Sequence, residues 1–184
     1  MIGLIIFLAV IALAAFSLIG IYNKLVRNKN LMAEGWSGID VQLKRRTDLI
    51  PNLLESVKGY MKHERELLSE VTRLRAESLK ITDVLAKSQV ENALSRSLAN
   101  LFAVAENYPD LKANQNFLDL QRQLGEIEDQ IQMSRRYYNG TVRNLNILIE
   151  SFPSNLVAKK FNFSQANFFE LEDEAERAVP QVKF

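Results

Sequence analysis

The stretch MAEGWSGIDVQLKRRTDLIPNLLESVKGYMKHERELLSEVTRL, from Met32 to Leu74, decides the fold. Within it Met32, Trp36, Ile39, Leu43, Arg46, Ile50, Leu53, Val57, Tyr60, Glu64, Leu67, Val71 and Leu74 succeed one another at alternating steps of four and three. Eleven of these thirteen are apolar or aromatic. A period of about 3.5 residues held over about six heptads means one long helix burying a stripe against partners in a left-handed bundle or coiled coil. Pro51 falls inside that helix, where it removes a backbone hydrogen bond and crowds the preceding turn. The sequence therefore predicts a kink near residues 47–51, or two helices with Asp48 capping the second.

A second seam runs through Phe117, Leu120, Leu124, Ile127, Ile131, Ser134, Tyr138, Thr141, Leu145, Leu148 and Phe152. It predicts another helix over residues 111–150, about 60 Å long. Between the two lies a weaker helix whose face carries Lys87, Val90, Leu94, Ser97, Leu101, Val104 and Tyr108. Ile81-Thr82-Asp83 reads as its preceding turn, with Asp83 or Ser88 as the cap, and Pro109 as its end. Pro153 stops the last long helix. No alternation persists long enough for a strand, and seven glycines and four prolines leave little room for many turns. The expected fold is all-α, an antiparallel bundle of three to four long helices preceded by a transmembrane helix.

That transmembrane helix is read from Ile2 to Ile21, a run of twenty residues without a charge. As a helix it is about 30 Å long, enough to cross the hydrocarbon core of a bilayer. A secretory signal is the competing reading. No Lys or Arg precedes the run, it exceeds the usual apolar core of about 7–15 residues, and Gly20-Ile21-Tyr22 lacks a small-x-small cleavage pattern. The expected organisation is an anchor over residues 1–22, a helical bundle over 23–160 and a tail over 161–184. In the tail, Phe161, Phe163, Phe168 and Phe169 are expected to dock on the bundle. Glu170, Glu172, Asp173, Glu174 and Glu176 are expected to form a solvated end.

Lys24, Arg27 and Lys29 follow the anchor closely, which favours a cytoplasmic bundle by the positive-inside rule. They are also the residues expected to face anionic lipid. Position 46 lies about 40 Å further along a helix, well beyond a Debye length of about 8 Å, so the Lys44-Arg45-Arg46 triplet is expected to serve the bundle. With 23 basic and 22 acidic residues the net charge is +1, which gives no support to nucleic-acid binding. The chain has no cysteine, which excludes a lipid-anchored Cys, a disulfide framework and a thiolate metal site.

The order and spacing of several motifs resemble the LemA family: Tyr22-Asn23-Lys24-Leu25-Val26, then Trp36 through Arg46, then Asp48-Leu49-Ile50-Pro51-Asn52-Leu53. Val57-Lys58-Gly59-Tyr60, His63-Glu64, Arg136-Tyr137-Tyr138-Asn139 and Ser151-Phe152-Pro153-Ser154-Asn155-Leu156 continue the pattern, so the likeness spans nearly the whole chain. The resemblance implies a bacterial single-pass membrane protein with a helical bundle and no established enzymatic activity. It also hints at a membrane-bound protease as partner.

Among single residues, Arg46 and Glu64 occupy seam positions where leucine is expected. They stand eighteen residues, about 27 Å, apart on one helix and cannot pair with each other if it is unbroken. Each must meet an opposite charge or a carbonyl on another helix, with Glu126, Glu128, Asp129, Arg135 and Arg136 as counter-charges. A structural ion pair is favoured over a ligand patch. His63 is the only histidine, and Tyr60 stands where a Glu-x-x-His di-metal motif needs its glutamate, so a rim histidine is expected. Trp36 and Tyr138 read as core, and Tyr137, off the seam, as an exposed contact. Neither a Ser-His-Asp set, a glycine-rich phosphate loop nor a cysteine nucleophile is indicated, so no catalytic residue, metal or cofactor is expected.

These features point to a non-enzymatic membrane-anchored scaffold or adaptor for protein partners, or to self-assembly. Self-assembly would use off-seam apolar residues such as Leu25, Val26, Leu31, Leu49, Leu54, Met61 and Leu68, unless a four-helix closure buries them. The alternatives are an extracytoplasmic sensor binding a small molecule and a cell-envelope hydrolase or its accessory.

Overall fold

The computed structural model describes residues 1–169, and every element assigned in them is helical. Helix α1 runs over Ile2–Lys58, α2 over Arg65–Ser78, α3 over Val84–Ala105, α4 over Pro109–Lys112, α5 over Gln115–Glu150 and α6 over Ser154–Lys160. The anchor and the first bundle helix are thus one continuous helix, as the absence of a breaker between Lys24 and Lys29 predicts. The solvated acidic end of the tail falls outside the described residues.

The first seam is one helix only as far as Lys58. Of the two alternatives expected at Pro51, the two-helix one fails: α1 passes through Pro51 without ending, and Asp48 lies inside it rather than capping a second helix. The break comes at Gly59–Glu64, where glycine costs a helix about 1 kcal/mol relative to alanine. There the Met61 amide turns back to the Val57 carbonyl at 2.9 Å, and the Met61 side chain closes the end of the core. Tyr60, on the seam by count, is accordingly exposed. The second seam also needs trimming: α5 begins at Gln115, after the short α4. The middle helix keeps its expected face, with Lys87, Val90, Leu94, Ser97 and Leu101 buried. Its Asp83 cap accepts the Ala86 amide at 2.9 Å.

The contacts divide the chain into two compact units. The first joins Met1–Ile39 to Ser134–Phe168. Leu25 clusters with Leu145, and Gly35 faces Tyr137 and Tyr138, so α5 runs antiparallel to α1 here. Val157 and Ala158 of α6 complete the Leu25 cluster, with Ile21, Met32 and Phe163 around it. Helix α6 ends in a Schellman turn. The Phe163 amide reaches the Ala158 carbonyl at 2.9 Å, and Asn162 takes the left-handed conformation at φ 56°. Beyond it the extended chain is held by Asn146, whose side-chain amide bonds the carbonyl (3.0 Å) and the amide (2.9 Å) of Ala166.

The second unit joins Asp40–Met133 to Phe169. Four cross-helix contacts give its topology. Thr47 meets Arg75, Arg46 meets both Glu91 and Glu128, and Glu64 meets Tyr108. Helix α2 therefore descends against α1, α3 rises again and α5 descends, an up-down-up-down arrangement of four. The core is built on Ile50, Leu53, Val57, Leu94, Leu101 and Phe117, and the off-seam Leu49, Leu54 and Leu68 pack against it while Met61 joins it. In the first unit Leu25 is buried, and Val26 and Leu31 are half-buried. The apolar surplus that would have supplied a self-assembly face is largely absorbed within the chain.

Candidate functional sites

The second unit contains a buried ionic network centred on Arg46. Its seam position turns the side chain inward, and its residual exposure is only 1%. One terminal nitrogen donates to the Ser95 hydroxyl and to Glu128, each at 2.6 Å. The other donates to the carboxylate and the main-chain carbonyl of Glu91. Ser95 in turn donates to Glu128 at 3.1 Å, and Ser78 donates to Glu91. Lys87 donates to the Ser78 carbonyl at 2.9 Å and lies 3.8 Å from the Glu91 carboxylate. Two cations thus face two anions, and the guanidinium joins α1, α3 and α5 at one level. Such a network favours the register that keeps its buried charges paired, because a shift of any of the helices would strand one of them.

Of the expected counter-charges, Glu128 meets Arg46, whereas Glu126 pairs along its own helix with Arg122 at 3.0 Å. Glu91 was missed. It stands one place off the α3 face, but Lys87 four residues earlier, on a face otherwise apolar or small, was a signal that a carboxylate must lie beside it. Only Arg46 of the basic triplet serves the core: Lys44 pairs with Asp48 and Arg45 with Gln42 at the surface. Glu64 meets no cation in any described ion pair. It accepts the Tyr108 hydroxyl at 3.1 Å, and this contact, after desolvation, helps raise the Tyr108 pKa above its ordinary value. His63 is exposed in the turn before α2, and among the described residues no His, Asp and Glu cluster suits a metal.

The first unit gathers the aromatic candidates. The Trp36 and Tyr138 rings lie 5.6 Å apart, and Tyr138 donates its hydroxyl to the Asn167 carbonyl at 3.0 Å. Burial pushes the Tyr138 phenol above its ordinary range. Gly35 lets α5 approach α1 closely at Tyr137 and Tyr138. A Cβ there would lie 3.1 Å from the Tyr138 Cα and 3.2 Å from the Tyr137 ring, so only glycine fits without displacement. Tyr137 keeps half its surface exposed, and Arg136 is exposed beside it. Phe152, on the second seam by count, is 80% exposed because α5 has already ended at Glu150.

Lys24, Arg27 and Lys29 are all exposed. Lys29 sits 5.9 Å over the Phe163 ring. Tyr22 packs against Phe161 in a tilted arrangement, ring centroids 4.8 Å apart, and meets Phe163 edge-on at 6.0 Å. Phe161 and Phe163 of the tail therefore pack on α1 just past the apolar run.

An all-α protein whose N-terminal helix is long and apolar enough to cross a membrane, joined to helical packing locked by a buried ion network, is the class these features define. Residues 35–184 match the LemA family, and the chain belongs to it. It is 28% identical to Protein LemA of Metamycoplasma hominis over 91% of this chain and 77% of that one. It is 23% identical to magnetosome protein MamQ 2 of Paramagnetospirillum magneticum, covering 89% of this chain and 70% of that one. For magnetosome protein MamQ of Magnetospirillum gryphiswaldense the identity is 22%, with 88% and 70% covered.

Proposed function

We propose that the protein is a non-catalytic scaffold or adaptor, anchored by Ile2–Ile21 as a single membrane span, with its helical domain in the cytoplasm. The observation that carries this reading is the fate of its inward-turned charges. Arg46, Glu91, Glu128 and Lys87 are matched to one another and hold helices in register, a structural use of charge. The seam carboxylate Glu64 is engaged by a tyrosine hydroxyl. None of the three relatives named above carries an activity in its name, which favours the same reading. Exposed Arg136 and Tyr137 are the partner-contact candidates, with a membrane-bound protease as the partner class the family resemblance suggests. Lys24, Arg27 and Lys29 directly after the span support the cytoplasmic side.

Protease treatment of intact cells, set against lysed spheroplasts from the same culture, tests the sidedness with a tag placed after Phe184. The tag is expected to survive outside protease and to be cut only after lysis. Cleavage before lysis overturns the cytoplasmic scaffold and puts an extracytoplasmic sensor in its place.

A further inference from the structure

Between α1 and α6, within the first unit, lies an open apolar groove of about 500 Å³. One wall is Leu18, Ile19 and Tyr22 of α1, and the other is Leu156 and Phe161. Leu18 and Ile19 belong to the uncharged run. Taking that run as the membrane span ending at Ile21, they lie about 3–5 Å inside it by helical rise. Whatever packs on them is therefore held at the depth where head groups meet acyl chains.

Helix α6 is built for that depth. Val157 and Ala158 face the Leu25 cluster, while Leu156 turns outward with 61% of its surface exposed. Phe161 at its end and Phe152 in the turn that opens it are 56% and 80% exposed. Single exposed apolar side chains are ordinary on a soluble surface. Here, however, they flank a groove whose other wall is the span itself. Lys159 and Lys160 are exposed on the last turn of α6, as Lys24 and Arg27 are on α1. Long cationic side chains reach toward phosphates while their stems lie along apolar surface. Tyr22 between them adds the aromatic that interfaces favour.

We propose that this corner is a second membrane contact. Leu156, Phe161 and Phe152 enter the bilayer that α1 crosses, lipid acyl chains fill the groove against Leu18, and the surrounding lysines and Arg27 meet head-group phosphates. The proposal rests on the reading of Ile2–Ile21 as a span but not on which side the domain faces.

The lack of cysteine allows single labelling of the full chain. An environment-sensitive fluorophore is attached at Leu156→Cys and, separately, at the more exposed Phe152→Cys. The proteins are reconstituted in phosphatidylcholine–phosphatidylglycerol vesicles with and without brominated acyl chains. Leu18→Cys serves as the reference for the span and exposed Glu34→Cys, thirteen residues beyond Ile21, as the reference for water. Labels at 156 and 152 are expected to lose emission in brominated vesicles as the label at 18 does, while that at 34 keeps it. Quenching at 18 without quenching at 156 and 152 overturns the second contact and leaves the anchor standing. No quenching at 18 overturns the span, and the proposal with it.

Discussion

Arg75 on α2 donates from Nε to the carbonyl oxygen of Thr47 at 2.7 Å, and that carbonyl is the one Pro51 leaves without a helical partner. A residue twenty-eight positions away thus supplies the donor that proline lacks, and α1 continues through position 51.

The pair predicts a specific dependence. Arg75→Ala leaves the Thr47 carbonyl buried and unpaired and is expected to cost about 1–3 kcal/mol. In a Pro51→Ala background the new amide can take that carbonyl, and the same change should cost clearly less. Thermal unfolding of the four variants in detergent measures the coupling. Equal costs in both backgrounds would show that Arg75 does not substitute for the missing amide.

Removing Arg46 takes from Glu91, whose side chain is 2% exposed, its direct ion pair and leaves only Lys87 at 3.8 Å as a cation, so Arg46→Met is expected to destabilise by about 3 kcal/mol. Adding Glu91→Met removes the unmatched carboxylate but takes from buried Lys87 the carboxylate 3.8 Å away, so it should recover only part of the loss. Glu128, with a side chain one-third exposed, is the lesser partner: Glu128→Gln should cost no more than about 1 kcal/mol. Denaturant titrations followed by the single Trp36 report all three.

Gly35 and Gly38 lie on the same helix and should respond to alanine in opposite ways. At Gly38 a Cβ meets nothing within 4 Å, so Gly38→Ala should stabilise by about 1 kcal/mol through helix propensity. At Gly35 the Cβ presses on the Tyr138 backbone, which offsets that gain, and Gly35→Leu should destabilise strongly. A shift in Trp36 emission should accompany the Gly35 changes, because its ring lies against Tyr138. Matching responses at the two glycines would rule out the close approach.

Burial raises the Tyr138 phenol above its ordinary value of 10.0. The folded state therefore holds this proton more tightly than the unfolded chain does. The stabilisation is fully present below about pH 10 and is lost as pH rises through the folded value. The melting temperature of the wild type should fall more steeply above pH 10 than that of Tyr138→Phe, which has no phenol to ionise. Parallel alkaline melts would remove the effect.

How much was legible follows from which signals are local. The face of α3 and the seam of α5 were readable because burial recurs at the helical period, and residues such as Leu94, Leu101 and Ile131 fall on it. Arg46 was recognisable as an inward charge because it interrupts that period. Its second partner was not, because Glu91 sits off the α3 stripe and becomes a neighbour only when helices distant in sequence pack. The boundary of α1 was misplaced for a similar reason. Pro51 is a local stop signal that Arg75 overrides from another helix, while Gly59 is a weaker signal that nothing overrides.

By itself the sequence determined that the chain is helical, that its first twenty-odd residues form an apolar helix of membrane length, and which stripes are buried. These follow from periodicity and local composition, which need no knowledge of neighbours. Only the tertiary structure decided that α1 continues through position 51 and breaks at position 59, the partners of Arg46, the close approach that requires Gly35 and the groove beside Leu18. Each of these depends on atoms brought together across long stretches of chain, and a one-dimensional pattern carries no distance between them.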